Sequence, residues 1–152
     1  MIKVNVEIKN KSWKEKIKNP NKYFNNKLNK VSKIVTIFKK KKITFTILLT
    51  NSFNMKKLNK KFRNLNKPTD VLSFPFLSHR DFRLSKDNNL YIGDIATSYE
   101  IIKRRSQKGN FYIEFDKVWI HGLLHLIGYD HIKNKDYLRM SKMEKKILSF
   151  IN

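Results

Sequence analysis

The first regular pattern along the chain is strict alternation. Val4, Val6 and Ile8 take every second position between polar neighbours, which predicts a half-buried strand over 2–9. A Lys/Asn-rich stretch follows, broken at Asn19-Pro20-Asn21, where proline suits the first turn of a helix. From Tyr23 onward Phe24, Leu28, Val31, Val35 and Phe38 recur at helical spacing, and the run Lys39 to Lys42 closes that helix with charge suited to its C-terminus. The β-rich segment 43–50 is a second strand. Asn51 or Ser52 caps a helix reaching about Arg63, and Pro68-Thr69 breaks the chain before a third strand over 71–76. Residues 77–89 read as a polar loop and 90–97 as a fourth strand. Three helices complete the pattern: one capped by Thr97 or Ser98 and running to Arg105, one over 112–127 and one over 135–150, with Lys108-Gly109-Asn110 separating the first two. The order β-α-β-α-β-β-α-α-α predicts an α+β fold, a mixed sheet of about four strands covered by about five helices. No internal repeat, linker or second domain is visible, so 1–152 is expected to form one domain.

Composition narrows the class. With 11 Phe, 6 Tyr and 2 Trp the chain has apolar material for one core, and without cysteine it forms no disulfide and can bind metal only through nitrogen and oxygen. The alternating N-terminus does not resemble a secretory signal, and no apolar run approaches the roughly 18 residues of a membrane span, so a soluble cytoplasmic protein is expected. Against 12 Asp+Glu stand 34 Lys+Arg, a formal charge of +22. Such a field attracts phosphate backbones in a salt-dependent, sequence-independent way. The abundance of Lys, Asn and Ile is also what an AT-rich coding sequence produces, so the charge favours a nucleic-acid partner without fixing one. The tetralysine at 39–42 has the same two readings, an RNA contact or a solvated cap.

The chemistry is concentrated in HGLLHLIGYDH, 121–131. His121 and His125, four apart on a helix, lie on one face about 6 Å apart along the axis, a spacing at which two imidazoles grip one ion. Gly128 suits a left-handed helix stop that turns the chain, and His131 three residues later can take the third position. The helix is otherwise apolar nearly all round, with one polar stripe: Glu114, Lys117, His121 and His125. A lone histidine on such a helix is ordinarily a packing residue. Here three of the chain's four histidines fall within one eleven-residue stretch. Three neutral nitrogens with an open fourth position are the donor set of catalytic zinc, so one Zn²⁺ or another divalent ion is expected on His121, His125 and His131.

The spacing H-x-x-x-H-x-x-G-x-x-H is also that of the metzincin proteases, which carry a glutamate general base directly after the first histidine. This chain has Gly122 there. A metallopeptidase would need its base from elsewhere, and loss of a general base typically lowers rates by ~10²–10⁴-fold. A non-catalytic ribosome-binding factor with a structural metal is the other alternative.

The stretch 121–131 resembles the HGxLHLxGYDH signature of the YbeY family of bacterial rRNA maturation factors. The similarity extends to LNKKFRNLNKPTDVLSFPF at 58–76, to GDIATS at 93–98, and to Met143-Glu144 with Ile147, in the family's order. Phe62 stands where the family often has Tyr, and the N-terminal third matches only in outline. The resemblance implies a metal-dependent endoribonuclease that prefers single strands and uses zinc. It further implies association with the small ribosomal subunit, maturation of the 3′ end of its rRNA, and ribosome quality control. Arg63 matches the family's motif arginine, which implies a catalytic part in clamping phosphate; pairing with Asp70 or a helix carbonyl is the structural alternative. Asp130 is placed to orient a ligand histidine or to cap its turn. Asp70 reads as a turn residue, Asp94 as facing either the site or the sheet edge, and Ser73 as a strand residue or a groove contact. His79 reads as a solvent-exposed loop residue, with transient substrate contact as the other reading.

Overall fold

In the computed structural model, which describes residues 1–152, the alternating segments become strands β1 (Ile2–Ile8), β2 (Lys42–Thr50), β3 (Val71–Pro75) and β4 (Asn89–Ser98). They form one mixed sheet in the order β1-β2-β4-β3. β1 and β4 run parallel to β2, and β3 pairs antiparallel to β4 as an edge strand. Period-two patterning sorts the two faces. Ile43, Phe45, Ile47 and Leu49 of β2 are buried in the main core, whereas Leu48 points the other way, toward a small cluster of Met55, Leu72 and Ala96.

Helices α2 (Pro20–Ile34), α7 (Phe111–Leu126) and α8 (Asn134–Ile151) lie on the main-core side with α6 (Tyr99–Arg105). Helix α4 (Ser52–Arg63) alone covers part of the opposite face. Three further helices, α1 (Ser12–Lys16), α3 (Ile37–Lys40) and α5 (His79–Leu84), raise the number to eight rather than about five. The helix expected to run on to Phe38 stops at Ile34, because Val35 is extended in a run dense in β-branched residues. Val35 and Phe38 are buried nonetheless. The expected loop at 77–89 holds α5, opened by Ser78, whose hydroxyl accepts from the Asp81 N–H and donates to the Asp81 carboxylate. Phe82 anchors α5 in the core.

The central element is α7. Asn110 caps it by accepting from the N–H groups of Tyr112 and Ile113. Ten of its residues are buried, including one charge. That charge is Asp116, wholly out of solvent, which accepts hydrogen bonds from Tyr23 (2.6 Å) and Trp119 (2.8 Å) and pairs with Lys27 (2.5 Å). The network ties α2 to α7. No helix is long and apolar enough to cross a membrane.

Candidate metal centre

The last two turns of α7 carry His121 and His125 toward edge strand β3, whose Val71 and Ser73 face the same helix. After Leu126 the helix closes with the N–H groups of Gly128 and Tyr129 bonded to the carbonyls of His125 and Leu124, both at 3.0 Å. Gly128 has φ +95°, a conformation that L side chains rarely adopt. The reversed chain brings His131 back to the helix. Its ring lies 5.5 Å from that of His121 and 4.9 Å from that of His125, and one ligand atom of each histidine falls within 4.8 Å of the others.

Proton bookkeeping shows what the cluster is built to hold. His121 Nδ1 meets the Glu144 carboxylate of α8 at 2.5 Å, and His125 Nδ1 meets the Tyr129 carbonyl at 2.9 Å. Both partners only accept, so both Nδ1 atoms donate, and in a neutral ring the lone pair is then on Nε2. The two Nε2 atoms face each other at 3.1 Å. Two lone pairs at that distance repel unless a shared proton or a metal cation lies between them. Tetrahedral ligands at about 2.0–2.1 Å from zinc would stand about 3.3–3.4 Å apart, so little movement is needed. Burial, with the neighbouring His121 and His131, pushes the His125 pKa below its ordinary 6.5, which keeps the ring neutral and free to ligate at pH 7. The donor set fits a divalent metal.

A cleft of ≈ 820 Å³ opens over the three imidazoles. Arg63, at the C-terminal end of α4, lines it with its side chain exposed. Its structural alternative is taken up elsewhere: Asp70 pairs with Arg105 and accepts from the Val71 N–H. Ser73 also lines the cleft and donates to the Gly122 carbonyl at 3.2 Å. Asp130 does not orient a ligand; its carboxylate accepts from the His131 N–H at 2.7 Å and so shapes the turn. Asp94 lies on the other face of the sheet, accepting from Tyr91 at 2.5 Å. His79 is exposed, as expected, but sits on α5 in the wall of the cleft rather than in a loop.

Gly122 is where the metzincin base would be, and the packing explains its size. A Cβ there would stand 3.0 Å from Ile95, 3.1 Å from Ser73 and 3.2 Å from Val71. This position of α7 is pressed against the sheet, and any side chain there requires Ile95, Ser73 and Val71 to give by a few tenths of an ångström. Glu144 entered the sequence reading only through the similarity of Met143-Glu144 to the family, with no role at the site assigned to it. It interrupts the stripe of α8 formed by Met140, Ile147 and Ile151, all buried, and a lone carboxylate in an apolar stripe is the signal that marks it.

A family model described as endoribonuclease YbeY matches residues 7–152. The chain belongs to this family. A Pelagibacter ubique relative named endoribonuclease YbeY is 48% identical, the match covering 99% of this chain and 97% of the relative. Another YbeY, from a Wolbachia strain of Drosophila simulans, is 37% identical over 98% of this chain and 94% of its own length. The solution structure of TM1509 from Thermotoga maritima superposes with a TM-score of 0.61 at 28% identity, covering 99% of this chain and 89% of that one. The YbeY match therefore includes the Lys-rich N-terminal third, where the sequence motifs were thinnest.

Proposed function

We propose that residues 1–152 form a single metal-dependent hydrolase domain, a cytoplasmic endoribonuclease that prefers single-stranded RNA. In this reading it binds the small ribosomal subunit, matures the 3′ end of its rRNA and takes part in ribosome quality control. One Zn²⁺ is held by His121, His125 and His131, and Arg63 binds the scissile phosphate. What carries the reading is the pair of Nε2 atoms converging at 3.1 Å beneath a cleft that Arg63 also lines. When bound, the ion supplies Lewis acidity that stabilises charge building on a phosphoryl group.

The chain's own groups have distinct tasks. Glu144 and the Tyr129 carbonyl hold two rings in the ligating tautomer. The Arg63 guanidinium matches two phosphate oxygens at once. The excess of basic residues draws polyanions from a distance. Peptide hydrolysis is disfavoured because position 122, where a metzincin carries its general base, is a glycine in tight contact with the sheet.

The test is cleavage of end-labelled single-stranded RNA by metal-loaded wild type and by His125→Ala. Wild type should cut and the variant should not, while both melt cooperatively. Equal cleavage would assign the activity to a contaminant, and unfolding of the variant would mark the metal as structural. A 2′,3′-cyclic phosphate on the product would identify the substrate's own hydroxyl as the nucleophile.

A further inference from the structure

His79 is the fourth histidine of the chain, and α5 holds it in the wall of the cleft that contains the other three. Its place is set by the fold on both sides. Phe82, three residues on, is 4% exposed and fixes α5 to the core, and Ser78 caps the helix immediately before His79. Across from it the imidazole lies directly on Gly128. A Cβ on Gly128 would stand 2.0 Å from His79 Cδ2 and 2.6 Å from Nε2, so the ring occupies the space that any other residue at 128 would fill.

The ring is positioned yet unemployed. His121 and His125 both have Nδ1 engaged by the protein, whereas His79 makes no hydrogen bond to it. Nor is it a ligand as it stands, because the convergent cluster contains only His121, His125 and His131. An imidazole fixed beside a metal cleft, with its donor capacity unspent, suits a substrate that brings acceptors of its own. Two carboxylates of the cleft, by contrast, are engaged by the protein: Asp70 by Arg105 and Asp130 by the His131 N–H.

We propose that His79 is a substrate-binding residue that donates an imidazole N–H to a phosphate oxygen of the RNA strand lying in the cleft, with Gly128 providing the space for its ring. This rests on the endoribonuclease reading and adds to it a contact made by α5. An imidazole donates in either tautomer, so the contact needs no change of charge.

The test is the affinity of metal-loaded protein for a fluorescent 2′-O-methyl oligonucleotide, followed by anisotropy, with metal content and cleavage kinetics measured on the same samples. His79→Ala should bind about 3–10-fold more weakly, as expected for one lost hydrogen bond. KM for cleavable RNA should rise by a similar factor with kcat little changed. All variants should retain one metal ion per chain. His79→Gln, which keeps an N–H at similar reach, should recover most of the affinity, and His79→Phe, which keeps only the ring, should not. Unchanged affinity in His79→Ala would overturn the proposal, as would full recovery by His79→Phe. Loss of metal in His79→Ala would also overturn it, making His79 a buttress of the turn that carries His131. If wild type neither binds nor cuts RNA, the endoribonuclease reading fails and this contact with it; if wild type does both and His79→Ala matches it, only the contact fails.

Discussion

The carboxylate of Glu144 offers the sharpest test of how the three-histidine cluster is built. In Glu144→Gln the side chain keeps its length and loses its charge, so the His121 Nδ1–H donates to an amide oxygen at best. The contact is 2.5 Å long, and its partners are 32% and 25% exposed, which places it between a surface pair and a buried one. A hydrogen bond to a charged group contributes about 1.5–3 kcal/mol, and partial exposure argues for the lower half of that range. At about 1.4 kcal/mol per tenfold, zinc affinity should fall by roughly 10–40-fold. That agrees with the roughly 10–100-fold commonly lost when a carboxylate behind a ligand histidine is removed. The assay is competition against a chromophoric chelator, with melting of the metal-free protein as control. The metal-free melting temperature should move little, because Glu144 supports a ring rather than the core. A zinc affinity within about twofold of wild type would refute the assignment and leave the ring oriented by packing alone.

Arg63→Ala should lower kcat/KM for RNA by about 10²–10³-fold, the usual effect of removing a group that stabilises transition-state charge. Arg63→Lys should recover only part of this, and full recovery would show that a point charge suffices. Asp116→Ala strips the shared partner from Lys27, Tyr23 and Trp119 and should destabilise the fold by about 3–5 kcal/mol in urea titration; a change under about 1 kcal/mol would show the network to be dispensable. Burial and the Asp116 charge raise the Tyr23 pKa far above its ordinary 10. With the folded value raised, the stabilisation is complete below about pH 10 and is lost as pH climbs beyond it. Wild type should therefore lose melting temperature above pH 10 more steeply than Tyr23→Phe, and parallel curves would contradict this.

What the chain reveals without coordinates depends on how much periodicity each segment has room to display. Strand β2, with four inward apolar residues at alternate positions, and α7, apolar over four turns, announce themselves and carry the sheet and the histidines. Helices α1, α3 and α5 have five, four and six residues, fewer than two turns, and show no period. Only the Ser78-x-x-Asp81 cap could have revealed α5, and with it the position of His79. Pairings across the fold are harder still. Nothing local tells Arg105 from Arg63 as the partner of Asp70, or Glu144 from Asp130 as the partner of His121, because those choices are settled by how β3, α6 and α8 pack around α7. Asp116 was hidden differently: it lies outside the polar stripe formed by Glu114, Lys117, His121 and His125, on a face where Tyr23 and Lys27 of α2 meet it.

The tight seam between Gly122 and the sheet also bears on ancestry. One nucleotide change converts two of the four glycine codons to glutamate codons, so a protease-style base beside His121 is a short mutational step away. In this fold such a variant starts a charged side chain at a Cβ already 3.0–3.2 Å from Ile95, Ser73 and Val71. The variant is tolerated only as far as those three neighbours yield. Steric closure at a single backbone position thus opposes a protease-style base beside His121, however easily the codon changes.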